Sequence, residues 1–143
     1  MRLKQFATVR ESDAHRGREM MSPTNSRVFG IEKYGEKLVV TPLGDANGFR
    51  YTEIHQDTNA ICDLIGREKI ANLIIDLSDV TILGSIIISS IIKMARKISE
   101  KQGQACFCQA GDSMREVIES MSLTKLWPYY ESLDEAIGSF DEG

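Results

Sequence analysis

The sequence predicts an α/β fold: a small mixed β-sheet of about four or five strands, with about four α-helices packed mainly on one face. Three observations carry this. The apolar, β-branched run Leu73, Ile74, Ile75 and Leu77 suits a strand covered on both faces. Ile88, Ile91, Ile92, Ala95 and Ile98 then recur at helical spacing, with Lys93, Arg96, Lys97 and Glu100 on the wet face. Single strands separated by such helices favour one mixed sheet with the helices packed mainly on one side.

The elements follow in chain order. The runs Val28-Phe29-Gly30-Ile31-Glu32-Lys33 and Leu38-Val39-Val40-Thr41-Pro42-Leu43 flank Tyr34-Gly35-Glu36-Lys37 and read as a hairpin. Residues 51–67 carry Ile54, Ile61, Leu64 and Ile65 at helical spacing. Asp76 and Ser78 end the central strand, and Val80, Ile82 and Leu83 are expected to hold the next loop against the core. Gly84 relaxes the backbone before Ser85 opens, or lies beside the opening of, a helix over 85–100. A turn at Gly103 leads to a strand through Phe107. Asp112 is placed to cap a short helix bearing Met114, Val117, Ile118 and Met121. Ser132 and Glu135 have capping-box spacing before a last helix running to about Phe140.

The chain has 143 residues, 42% hydrophobic and 27% charged, enough for one core. Residues 1–27 hold six basic and three acidic side chains, a net +3, whereas the remainder holds 11 basic and 18 acidic, a net −7. These 27 residues read as a flexible basic extension, and 28–143 as the domain. The acidic body argues against nucleic acid as the main ligand. No apolar run reaches the ~20 residues of a membrane span, and the pI near 5.2 fits a cytoplasmic location.

Little points to catalysis. There is no phosphate loop, dinucleotide fingerprint, zinc-protease motif or nucleophile elbow, and only two histidines to serve as a general base. Asp76 and Asp79 could form a magnesium pair, but backbone donors near the strand end are their more natural partners. Cys106 and Cys108 share a strand face. Without a second pair they read as buried thiols, and no metal or cofactor is expected. Trp127, Tyr129 and Tyr130 read as a plug on the sheet edge.

Asp76-Leu77-Ser78, a short apolar loop, a serine opening a helix, and the downstream stretch from Leu123 through Trp127-Pro128-Tyr129-Tyr130 to Ala136 together resemble the STAS domain of bacterial anti-sigma-factor antagonists. The resemblance spans residues 29–140. That family's pattern is D-x-S, a six-residue spacer and Ser-Ser-Gly, the first serine being phosphorylated by a partner kinase that is also the anti-sigma factor. Ser85 takes that serine's place. Gly84 stands where the family often has Asp, and Ile86 and Ile87 where it often has Ser and Gly. The first change removes a negative charge at the helix start, and the other two are expected to make the rim more apolar.

The resemblance implies a phosphorylation-switched binding module that is not an enzyme. Ser85 is the modification site, and Asp76, Ser78, Asp79, Thr81, Gly84, Ser85, Ile86 and Ser89 form the partner-binding set, joined by the 44–49 loop. Its implied partners are an anti-sigma-factor serine kinase and a serine phosphatase, and a weak homodimer is compatible with it. The alternative is a STAS-like scaffold that self-assembles or binds a small ligand, nucleotide or lipid, without phosphorylation. A metal-dependent enzyme using the acidic loop ranks third.

Overall fold

The computed structural model describes residues 28–44 and 46–141; the expectation for the 1–27 extension lies outside them. Strands β1 (Phe29–Tyr34) and β2 (Lys37–Pro42) form the hairpin, paired from Phe29 opposite Pro42 to Tyr34 opposite Lys37. Gly35 turns it at φ 65°, a left-handed conformation that glycine adopts without a Cβ clash. A 3-10 turn (Ala46–Gly48) leads into α1 (Tyr51–Arg67), then β3 (Asn72–Asp76), α2 (Ser85–Glu100), β4 (Gln104–Cys108) and α3 (Asp112–Ser120). After a second 3-10 turn (Leu123–Lys125) come β5 (Tyr129–Tyr130) and α4 (Leu133–Asp141).

The five strands lie side by side in sequence order, β1 antiparallel to β2 and every later pair parallel. The period of two along each strand sends neighbouring side chains to opposite faces. Leu38, Val40, Leu73, Ile75, Ala105 and Phe107 join the larger core with the apolar stripes of α1, α2 and α3. Val39, Ile74, Cys106 and Cys108 meet only α4, through Leu133, Ala136 and Ile137. Three helices therefore cover one face and one covers the other. Burial on both sides is why β3 and β4 read as unbroken apolar runs.

Local chemistry sets the ends of the helices. Glu53 accepts the Arg50 N–H at 2.9 Å at the start of α1, and the Lys101 ammonium donates to the Ile65 and Glu68 carbonyls at its end, where a cation suits the helix dipole. In α4, Ser132 Oγ accepts the Glu135 N–H at 3.1 Å, as the capping spacing predicts. The Glu135 carboxylate returns to Glu131 N–H, one residue before the cap. Lys37 pairs with Asp141 at 2.6 Å and fastens the far end of α4 to β2.

Two expectations for α3 are corrected, its cap and its last residue. The residue preceding α3 in extended backbone is Gly111, so Asp112 is the first helical residue, where its charge still suits the helix start. Met121 follows α3 and is exposed, while Met114 and Ile118 are buried. Trp127 is buried edge-on against Phe107, with ring centroids 6.1 Å apart, which fits the plug reading.

Burial pushes the Cys106 thiol up to about 12 from an ordinary 9.0, and pushes Cys108 further, with the Asp76 carboxylate adding to the rise. Above pH 9 the unfolded chain releases protons that the folded chain keeps, so stability falls as pH rises from 9 toward 12. A urea midpoint lower at pH 10 than at pH 8, together with alkylation of Cys106 and Cys108 only in denaturant, is the expected result. Rapid labelling of either thiol in the native protein would contradict this burial.

Candidate functional site

The site lies beyond the carboxyl ends of β2, β3 and β4. Asp76, the last residue of β3, is 7% exposed, and its Oδ1 accepts the Ser78 N–H at 3.0 Å and Gln109 Nε2 at 2.8 Å. It turns the chain from beneath rather than facing solvent. Asp79 is exposed, and its Oδ2 accepts the Gly44 N–H at 2.7 Å. Both carboxylates thus serve donors at the strand ends, as the turn chemistry predicts. Among the described residues no group of three or more His, Cys, Asp or Glu side chains is placed to hold a metal.

From Asp79 the loop passes over the sheet edge with Leu83 sunk into the core and Val80 half-buried against it. Ile82, expected to pack inward, is instead 49% exposed. Its carbonyl accepts Asn47 Nδ2 at 3.0 Å, and Asn47 Oδ1 accepts the Gly84 N–H at 2.9 Å. One amide therefore braces the chain just ahead of α2 from the 44–49 loop. Gly84 precedes the helix in extended backbone (φ −77°, ψ 168°), and its carbonyl accepts the first helical bond, from Ile88.

Ser85 is the first residue of α2 and is exposed. It lies beside the cap rather than at it, the cap position being held by Gly84, which has no side chain to offer. The hydroxyl stands free at the positive end of a 16-residue helix.

Ser78, Thr81, Gly84, Ile86 and Ser89 are exposed around it. Ile87, expected at the rim with Ile86, is 1% exposed and belongs to the core. Successive helical residues are about 100° apart, so the pair cannot share a face. The apolar rim consists of Ile82 and Ile86, and Tyr51, at the start of α1, is also exposed. Seven of the eight expected residues are thus exposed, and Asp76 is buried beneath the loop.

Sequence reasoning missed Asn47 and Gln109. Gln109, at φ 60°, joins Asp76 to the Leu133 N–H, and it lines a cleft of about 520 Å³ beside Ser78 and Thr81. Asn47→Ala leaves the Gly84 donor and the Ile82 acceptor without their side-chain partner. We expect a cost of about 1–2 kcal/mol and faster amide exchange confined to residues 79–88. Uniform acceleration across the domain would refute the brace.

The STAS domain family model matches residues 31–136, and no curated protein matches the chain by sequence. Among solved structures, an anti-sigma-factor antagonist (STAS) domain protein from Planctomyces limnophilus superposes with a TM-score of 0.65 at 21% identity, covering 78% of this chain and 96% of its own. An anti-sigma factor antagonist from Mycobacterium paratuberculosis gives 0.63 at 24% identity, covering 78% and 91%. The Bacillus cell fate determinant SpoIIAA in its phosphorylated form gives 0.62 at 17% identity, covering 78% and 98%. At these identities the superpositions speak for the fold, and the family match spans most of the domain. The chain belongs to the STAS domain family.

Proposed function

We propose that the chain is an anti-sigma-factor antagonist that works as a phosphorylation-switched binding module. Unmodified, the face around Ser85 docks an anti-sigma factor that is also a serine kinase; a phosphate on Ser85 ends the docking, and a serine phosphatase restores it. The observation that supports this most directly is the exposed, non-capping hydroxyl of Ser85 at the start of α2. A kinase can reach it, and the helix N-terminus tolerates the phosphate. Ser78, Asp79, Thr81, Gly84, Ile86 and Ser89 form the contact rim, while Asp76 holds the loop in shape. SpoIIAA, similar in fold, is known in a phosphorylated form.

The test is intact mass of the protein from its own host, with peptide mapping across residues 76–93. A phosphate on Ser85 under one growth condition and its loss under another is the expected result. An unmodified Ser85 in both growth and stress would overturn the switch.

The exposed Ile82 and Ile86 favour a second reading, a scaffold that self-assembles through this face. Sedimentation separates the two: the switch predicts a monomer at micromolar concentration, the scaffold an oligomer dispersed by Ile86→Lys.

A further inference from the structure

We propose that the cleft between the turns after β3 and β4 receives Arg16 and Arg18 of this chain's own N-terminal segment. The cleft, of about 520 Å³, is lined by Ser78, Thr81, Gln109, Asp112, Ser113 and Glu131. The segment would then lie across the rim that carries Ser78 and Thr81, and a partner docking there would have to lift it. The contact itself does not depend on Ser85 being a switch, and its test uses the free chain.

Topology fixes where that segment is rooted. β1 is an edge strand antiparallel to β2, with Phe29 opposite Pro42, so the chain enters β1 at the end of the sheet where β2, β3 and β4 finish. Val28 O accepts the Leu43 N–H at 2.9 Å, and the next residue, Gly44, is bonded to Asp79. The root is thus beside the loop that leads to Ser85. Neighbouring strands are about 5 Å apart, which puts the cleft, beyond β3 and β4, about 10–15 Å from the root. Arg18 stands ten residues before Val28, a length that spans up to about 33 Å when extended. The tether reaches with slack.

Charge selects the occupant. Residues 1–27 are net +3 and the remainder net −7, and between Gln109 and Ala136 six acidic side chains stand against two basic ones, a net −4. Within that stretch a single guanidinium, Arg115, is shared by Glu119 at 3.4 Å and Glu131 at 3.1 Å. Asp112 is exposed and, among the described residues, has no cation within 4.0 Å. The cleft is therefore short of positive charge, and its two carboxylates turn an anion away from the start of α3. An extended Arg-Gly-Arg run presents both guanidinium groups to one side, and Gly17 adds no bulk between them. Guanidinium pairs with carboxylate through two parallel bonds, leaving donors for the hydroxyls of Ser78, Thr81 and Ser113. Exposed pairs of this kind are weak between separate molecules, but a short tether raises the local concentration to about the mM range.

The experiment attaches a nitroxide to Ala14→Cys in the full chain and reads amide signals at about 0.15 M salt. Wild type carried through the same labelling accounts for the buried native thiols. Amides of Ser78, Thr81, Asp112 and Ser113 should lose at least about half their intensity, while those of Gly35 and Ala71, at the hairpin end of the sheet, keep theirs. Arg16→Gln/Arg18→Gln, and separately Asp112→Asn, should reduce the loss at least about threefold, with the melting temperature checked alongside. The control Arg2→Gln/Lys4→Gln should leave it unchanged. The same loss in a mixture of isotope-labelled chains with separately nitroxide-labelled ones would assign the arginines to a second copy and overturns the proposal. Equal loss at both ends of the sheet, no loss, or a loss indifferent to the arginine pair overturns it as well.

Discussion

Gly103→Ala is expected to destabilise the domain by about 3 kcal/mol or more, lowering Tm by more than about 10 °C. A Cβ at this position would lie 2.2 Å from the Ala71 carbonyl oxygen and 3.2 Å from that of Ile98. Both are backbone atoms fixed by their own bonds. Ala71 O accepts the Gln104 N–H at 3.2 Å where β4 begins beside β3, and Ile98 O accepts the Gly103 N–H at 2.9 Å. Neither can retreat without parting β3 from β4 or unwinding the last turn of α2. Gln102, immediately before, is the left-handed residue of this helix end (φ 68°), and its N–H bonds Ser99 O at 2.9 Å. The two neighbours therefore predict opposite outcomes. Gln102→Gly relieves a left-handed side chain and should raise stability by up to about 1 kcal/mol. Urea unfolding of both variants decides it, and a Gly103→Ala midpoint near wild type would show that β3 and β4 yield.

Ser85→Asp, or stoichiometric phosphorylation, is expected to weaken the partner complex at least 100-fold, about 2.7 kcal/mol, and to change stability by less than about 0.5 kcal/mol. The phosphate adds about −1.5 to −2 charges at neutral pH. Its rim offers Ile82 and Ile86, and the nearest cation on its own helix, Lys93, lies about 12 Å along the axis. A dianion pressed against a partner there loses water without gaining a counter-charge from its own helix. In the free protein it remains hydrated at the helix start, so the fold is spared. Ser85→Ala should bind as wild type does. Affinity for the partner kinase and thermal unfolding, measured on the three proteins together, test this, and equal affinity for Ser85→Asp and Ser85→Ala would refute the electrostatic switch.

What the sequence made legible divides along physical lines. Periodicity is local, so the hairpin, α1, β3, α2 and β4 were all readable, as was the place of Ser85. Ile82 and Ile87 show the limit. Both are apolar near a loop-to-helix junction, and only the direction in which the chain leaves Leu83 decides that Ile82 faces water and Ile87 the core. Asn47 was unreadable because its partners lie 35 and 37 residues away, and an asparagine in a Gly-containing loop looks like any other. The separate face of α4 was hidden for another reason. Cys106 and Cys108 alternate with Ala105 and Phe107 among residues that are all buried, so nothing in the pattern marks which face each occupies.

The place of α4 carries a consequence for the chemical durability of the domain. It is the helix that shields the two strand thiols, and its first backbone N–H is held by the same Gln109 amide that grips Asp76. A proteolytic nick at the exposed Glu131 would therefore do two things in one event. It would open Cys106 and Cys108 to oxidation as far as sulfenic acid and beyond, and it would slacken the hold on the turn that leads to Ser85. Damage to the start of α4 would be felt at the docking face, because Glu131 and Gln109 line one cleft with Ser78 and Thr81, and loss of switching would go with a rise in oxidised cysteine.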